Sequence, residues 1–397
     1  MKISQRAGLV KPSPTLAVTA KAKALKAKGI DVIGFGAGEP DFDTPAHIKD
    51  AAKKALDEGF TKYTPESGTD DLKQAVQKKF ERDNGLKYEL NQIIVSCGAK
   101  HSLYNLYQAV LDPGDEVVIV SPYWVSYPDM AFLAGAKPVF VQTKAASGFR
   151  PAAKDLEKAL TRKTKLVVLN SPSNPTGAAI PEAELKKIAG VLEDGDFWIV
   201  SDEIYEKIVY DGFKQVSIAS LSPKLFAKTI TVNGLSKSHS MTGWRIGFAA
   251  GDKEVVKAMS TIQGQSTSNP TSFAQKGATA ALLGGEDETQ KMVREFNARR
   301  EWIVKALNGL PGVSCHKPEG AFYVFPDFSA YLGKSFMGKE IKNSTELSEY
   351  LLDEAKVAVV MGSAFGAEGF LRLSYATSMN NLQEGLKRIA AALKNLQ

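Results

Sequence analysis

The sequence predicts an α/β protein, with a mostly parallel seven-stranded sheet covered by helices on both faces and a smaller α+β part after it. Three observations lead there. Between residues 47 and 285 seven short, apolar, β-branched runs recur, each bounded by turn residues. Helical patterns separate several of them, which implies crossover connections and hence parallel neighbours. Beyond residue 286 one long helical pattern is followed by short apolar runs that alternate with two further helical ones.

Taken in order, residues 1–46 read as an arm and a helix packing with the small domain. In "SPTLAVTAKAKALKAKG", Ser13 is placed to cap a helix that has apolar positions at helical spacing and Gly29 as its stop. The segment is basic and has no acidic residue before Asp31, a composition shared with organelle transit peptides, but the helix reading explains it without one. "GFGAGEP", residues 34–40, has glycines like a nucleotide loop. Its third glycine is misplaced, and Pro40 and Pro45 deny the helix that such a loop opens, so it reads as a substrate-facing turn.

The large domain, 47–285, carries the runs "QIIVSCG", "DEVVIVSP", "KPVFVQT", "TKLVVLNSP", "FWIVSDEIY", "TITVNG" and "RIGFAAG". Helical "AAKDLEKALTR" and "EAELKKIAGVLEDG" stand between them. The small domain, 286–397, opens with "DETQKMVREFNARREWIVKALNGLPG", one helix ending near Gly309. Short runs "VSCHKP", "GAFYVFPDF", "VAVVMGSAF" and "FLRLSYA" then alternate with helical "STELSEYLLDEA" and "NNLQEGLKRIAAALKNL".

Composition narrows the function. The chain has 397 residues, 44% hydrophobic and 24% charged, an ordinary globular balance with room for two domains. Its net charge of +6 comes from interspersed charges, 50 basic and 44 acidic, which leaves no footprint for nucleic acid. Cys97 and Cys315 lie far apart, and His47, His101, His239 and His316 form no metal-ligand spacing. No apolar run approaches the roughly 20 residues of a membrane helix, so a soluble cytoplasmic protein is expected.

Chemistry gathers at the strand ends, where α/β sheets bind ligands. Lys237 sits in "NGLSKSHSMTGWRIG", on a crevice loop between two strands, where a lysine must reach solvent or act as an amine nucleophile with a lowered pKa. "LVVLNSPSNPTG" delivers Asn174, and "FWIVSDEIY" delivers Asp202 and Tyr205. Each alone has a plain reading: a turn for Asn174, a cap or ion pair for Asp202, a packed aromatic cluster for Tyr123, Trp124 and Tyr127. Together, a lysine, an acid, a phenol and an amide are the parts that hold pyridoxal 5′-phosphate (PLP). Lys237 forms the imine with its aldehyde and carries the proton. Asp202 pairs with the pyridine nitrogen, Asn174 and Tyr205 donate to the phenolate, and Trp124 stacks on the ring. Gly98, between a strand and a helix, offers free N–H groups to the phosphate with Arg245 as its cationic partner. Arg372, in apolar "GFLRLSYA", is the candidate grip for a substrate carboxylate.

"GLSKSHSMTGWRIG" resembles the PLP-lysine signature of class I aminotransferases, the fold-type I PLP enzymes. "AGEPDFDTP", "TKYTPESG", "LDPGDEVVIVSPYWVSYP", "NSPSNPTG", "VSDEIYE", "GAFYVF" and "RLSYATS" extend the likeness over nearly the whole chain. The resemblance implies Lys237 as the imine lysine, with Asp202, Asn174, Tyr205 and Trp124 around the ring. It implies Arg245, Gly98, Ala99 and Lys100 at the phosphate, and Gly38, Asn174, Trp124 and Arg372 at the substrate. Tyr63 matches a tyrosine that reaches the partner subunit's phosphate, which implies a homodimer with shared sites. Two positions depart from the animal and enterobacterial aspartate aminotransferases: Gly264 stands where their distal-carboxylate arginine is, and Gly234 where a phosphate-binding serine is. With Lys100, these look like the bacterial branch of aspartate aminotransferases, some of which also accept prephenate. In that branch Lys100 and the segment of Lys11, Ser13 and Thr15 recognise the distal end. The expected activity is amino exchange between aspartate or glutamate and 2-oxo acids. Aspartate/prephenate or broad aromatic transamination is the alternative, with a PLP β-lyase or a non-catalytic PLP-binding regulator behind it.

Overall fold

A computed structural model describes residues 3–10 and 12–397; the expectation for Lys11 lies outside them. The chain enters through the helix Pro14–Ala27, followed by Gly29 at φ +80° and the two-residue strand β1 (Ile33–Gly34). The Ser13 hydroxyl does not cap this helix; it bonds the Thr15 hydroxyl at 2.8 Å instead. Ala22 and Val32 pack with Leu352 and Ala358, so the helix rests on the C-terminal part of the chain.

All seven expected runs form strands: β2 (Ile93–Ser96), β3 (Glu116–Ser121), β4 (Lys137–Gln142), β5 (Thr164–Asn170), β6 (Trp198–Asp202), β7 (Thr229–Gly234) and β8 (Gly247–Ala250). Their order is β2-β8-β7-β6-β5-β3-β4, and only β8 runs against the rest. Side chains alternate between faces as the period of two demands. Val117, Ile119, Leu166 and Val168 join the core under the helices Ala99–Val110 and Lys253–Ser266. Val118, Val167 and Leu169 join that under Ala153–Ala159 and Glu182–Leu192. Both faces are thus buried, which is why these strands read as continuous apolar runs.

Strand register brings the functional positions level with one another. Asn170, the last residue of β5, pairs with Asp202, the last of β6, and Asp202 pairs with Val232 of β7. Side chains at these carboxyl ends and on the loops beyond them therefore meet at one edge.

The C-terminal part begins with the helix Asp287–Asn308 and holds β9 (Tyr323–Val324), β10 (Ser335–Phe336), β11 (Lys339–Glu340), β12 (Val357–Ala358), β13 (Val360–Met361) and β14 (Leu371–Ser374). β13-β14-β9 form an antiparallel sheet, β10 and β11 a hairpin, and β1 adds to β12 in parallel. Helices Ser344–Glu354 and Met379–Lys394 cover them. "VSCHKP" forms no strand beyond a single bridge, Ser314 to Asp327; Pro318 removes a donor, and Cys315 is engaged by the Asn308 side chain instead.

Candidate active site

The carboxyl edge of β5–β7 opens into a cavity of about 360 Å³. Lys237, Asp202, Tyr205, Asn174, Trp124, Arg245, Ala99, Lys100, Gly38, Arg372, Ser13 and Thr15 all line it. Residues spread over most of the sequence converge there because the sheet gathers strand ends while the N-terminal turn and β14 close over them.

Lys237 follows β7 by three residues, and its Nζ donates to the Gly38 carbonyl at 2.5 Å. Burial brings its pKa down to about 8; Glu39 opposes the shift, and the positive Arg372 and Arg245 add to it. The amine is therefore poised to gain and lose a proton near neutral pH. Asp202 is buried, its carboxylate accepting from the Tyr127 hydroxyl at 2.6 Å and from the Ile204 N–H at 3.3 Å. Burial lifts its pKa to about 6 against those bonds and the Lys237 charge. The desolvation of the buried acid thus outweighs the Lys237 charge, and no ion pair engages Asp202 among the described residues.

Gly98 stands at φ +91° immediately before the helix Ala99–Val110. A Cβ there would run into the Arg245 guanidinium, and one at Gly247 into the Gly98–Ala99 peptide. Both glycines thus let β8, the helix N-terminus and Arg245 crowd together. Arg245 Nη2 donates to the Cys97 carbonyl at 3.2 Å. Free N–H groups and a guanidinium make an anion cradle. Lys100 lies 4.8 Å above the Trp124 ring; burial lowers its pKa, Arg245 adding to the effect and Asp129 opposing it.

Arg372, on β14, is 1% exposed. Its Nη1 donates to Asn174 Oδ1 at 3.0 Å and its Nη2 to the Gly36 carbonyl at 2.7 Å. The guanidinium lies 4.6 Å over the Tyr323 ring. Nε is buried without a hydrogen-bond partner, an orphan donor of the kind a substrate carboxylate satisfies. "GFGAGEP" is thereby a turn against the cavity, its carbonyls taken by Arg372 and Lys237.

Tyr63 is not brought to this cavity; it is 91% exposed. Among the lining residues that escaped the sequence reading of the site are Tyr127, Asn170, Tyr323 and Glu39. Tyr127 clamps Asp202, Asn170 bonds the Asp202 carbonyl at 2.9 Å, and Tyr323 bonds the Tyr205 hydroxyl at 2.8 Å. The hint of them was their place inside the motifs "PYWVSYP", "VVLNSP" and "GAFYVF" and, for Glu39, in the turn "GFGAGEP".

The family model for aminotransferase class I and II matches residues 30–389. The chain belongs to the class I and II aminotransferases. This aminotransferase is 51% identical to the aspartate aminotransferase of Bacillus subtilis, over 98% of each chain. It is 49% identical to the aspartate/prephenate aminotransferase of Nitrosomonas europaea, over 99% of this chain and 100% of that one. A crystal structure of the aspartate aminotransferase from Rhizobium meliloti superposes with a TM-score of 0.96 at 48% identity, covering 100% of both chains. The fold is therefore that of the fold-type I aminotransferases.

One of the two departures has a packing reason in this aminotransferase. A Cβ at Gly234 would press within 3.1–3.2 Å of Gly247, Ile204 and Ile246, whereas one at Gly264 would meet only the movable carboxylate end of the exposed Glu66. No cluster of three or more potential metal ligands occurs among the described residues, and no described helix is long and apolar enough to cross a membrane.

Proposed function

We propose that this enzyme is a PLP-dependent aminotransferase that exchanges amino groups between aspartate or glutamate and the matching 2-oxo acids by a ping-pong mechanism, as a cytoplasmic homodimer. The observation that carries the reading is the trio in one cavity: an amine poised near pH 8, a buried acid whose desolvation outweighs the charge of that amine, and a buried arginine with an orphan donor. These residues fit PLP and an α-amino acid. Lys237 would hold the aldehyde, Asp202 the ring nitrogen, Asn174 and Tyr205 the phenolate, and Trp124 the ring face. Gly98, Ala99, Lys100 and Arg245 would hold the phosphate, and Tyr63 would complete the site of a second copy.

PLP supplies an aldehyde that captures the substrate's amino group and a cationic ring that accepts the electron pair left on Cα. The chain's own residues do the rest. Arg372 and the Gly38 turn fix the α-carboxylate, so that the Cα–H bond is presented toward Lys237. Lys237 Nζ would take the proton from Cα and return it to the former aldehyde carbon, two atoms away across the amino nitrogen. Asp202, held in place by Tyr127, keeps the ring nitrogen protonated, and that bond in turn brings the acid's own pKa back down. Tyr205 is fixed through Tyr323.

Aspartate is favoured because Lys100, Ser13 and Thr15 line the same cavity as Arg372, a cation and hydroxyls suited to a second carboxylate, and because relatives near 50% identity are named for it. The aspartate/prephenate reading rests on other relatives so named and on the apolar surface that Leu16 and Trp124 add to the cavity, Trp124 lying against Lys100.

Borohydride reduction of the PLP-loaded protein followed by peptide mapping tests the assignment. The reduced pyridoxyl group is expected on Lys237, and its presence on any other lysine would overturn the reading. Absorbance changes on adding aspartate, phenylalanine or prephenate, with product analysis against a cystathionine control, then separate the substrate readings from β-elimination.

A further inference from the structure

Glu39 has no part in holding PLP or the substrate carboxylate, yet it lines the cavity that holds Lys237. The turn that carries it is tied to the site at three points. Gly36 accepts from Arg372 at 2.7 Å, Gly38 accepts from Lys237 at 2.5 Å, and the Glu39 carboxylate accepts from the Thr242 hydroxyl at 2.9 Å. Thr242 begins the turn leading to Arg245, and its carbonyl accepts from Arg245 Nη1 at 3.0 Å. The charged and titratable groups around Lys237 are Asp202 on β6, Tyr205 beyond it, Arg245 and Lys100 at the phosphate cradle, Tyr127, Tyr323, and Arg372 on β14. Cations outnumber acids in that set. Glu39 and Asp202 are the carboxylates that oppose them, and Asp202 is committed to the ring nitrogen.

We propose that Glu39 is a positioning residue for Lys237, its carboxylate fixed by the Thr242 hydroxyl so that a negative charge stands across the cavity from the amine. A group that must both take a proton from Cα and give it back works best when neither form is strongly favoured. Arg372 and Arg245 push Lys237 toward the neutral amine, and Glu39 holds it back. Thr242 matters because Glu39 is exposed, and an unheld carboxylate on a turn would spend much of its time swung away from the cavity, its field on Lys237 weaker and more screened. The clasp across 203 residues of sequence fixes the charge where it acts.

The proposal rests on Lys237 being the reacting amine, and its test is chosen to separate the two. The full chain, stripped of PLP, is titrated with trinitrobenzenesulfonate across pH 6–10, and arylation of the Lys237 peptide is followed by mapping. The wild-type midpoint is expected near 8. In Glu39→Gln it should fall by at least about half a unit, so that Lys237 labels roughly threefold faster near pH 7. Thr242→Val should show a smaller fall, and Thr242→Ser should restore the wild-type profile. A Glu39→Gln profile that coincides with wild type overturns the proposal, and a Thr242→Val profile that does so removes the clasp. If borohydride mapping of the wild type places PLP elsewhere, the reading of Lys237 has failed instead, whatever the profiles show.

Discussion

At the scale of single residues, the site holds a group whose usefulness costs the fold something. Asp202 is raised from an ordinary carboxylate pKa to about 6 by its burial. Between pH about 4 and 6 the folded chain without PLP therefore binds more protons than the unfolded one, and its stability falls as pH rises through that window. Asp202→Asn cannot titrate. The variant should gain on the wild type across the same window, reaching an advantage of up to ~3 kcal/mol at pH 7, while losing the charge that the ring nitrogen needs. Urea unfolding of both PLP-free proteins at pH 4.5 and 7 checks this; parallel curves would mean that Asp202 carries no burial strain. The substrate end gives a second residue-level expectation. Arg372→Lys keeps the charge but loses the planar fork, so kcat/KM should drop alike for aspartate and phenylalanine. Lys100→Ala should cost aspartate roughly 2 kcal/mol, about 30-fold, and phenylalanine little. Equal losses at saturating PLP would confine Lys100 to the phosphate.

At the scale of elements, the phosphate cradle depends on one strand, one helix and one turn arriving within van der Waals contact. β8 runs against its neighbours, and its first residue, Gly247, lies under the N-terminus of the helix Ala99–Val110. Gly98→Ala adds a methyl where Arg245 lies and asks an L-residue to hold φ +91°. It should destabilise the protein by about 1–3 kcal/mol and speed PLP release at least tenfold, read from the cofactor absorbance that stays with the protein after gel filtration. Stability loss without faster release would mean that Arg245 does not face the phosphate. The inner strands were legible because they are buried on both faces, so that Val117 to Val120 and Leu166 to Leu169 are apolar at every step. The clamps were not. Tyr205 meets Tyr323 across 118 residues and Glu39 meets Thr242 across 203, and nothing local separates a tyrosine that fixes a catalytic phenol from one that fills a core. Lys237, Asp202 and Arg372 could be found from sequence because a charged side chain at an apolar strand end has no packing reason to be there.

At the scale of the whole molecule, the cavity draws its walls from far-apart stretches of chain, among them the start of the helix Pro14–Ala27, the turn at Gly36–Glu39, the helix Ala99–Val110, the sheet edge and β14. The core of the C-terminal part reaches back to Tyr205, Ile208 and Tyr210, just beyond β6, so the small and large parts share apolar packing directly beneath the site. Tyr63 stands apart from all of this. Its loop is pinned, with Ser272 bonding the Phe60 carbonyl at 2.9 Å and Gln275 bonding the Thr64 hydroxyl at 2.9 Å, while the ring between them is left exposed. An aromatic held so firmly in the open suits a fixed contact with another chain. In the proposed homodimer, Tyr63 of each chain donates to the phosphate in the other, and its loss removes one charge-assisted bond, about 1–2 kcal/mol or up to ~30-fold in PLP affinity. Mixed dimers decide who serves whom. A chain carrying Tyr63→Phe, paired with one carrying Lys237→Ala, has one site with an intact lysine. If Tyr63 acts across the interface, that site receives the tyrosine of the Lys237→Ala chain and is whole, so it should retain PLP as a wild-type site does and give the heterodimer half the wild-type activity. If Tyr63 acts within its own chain, the same site lacks the phenol, and it should release PLP at the rate of the Tyr63→Phe homodimer.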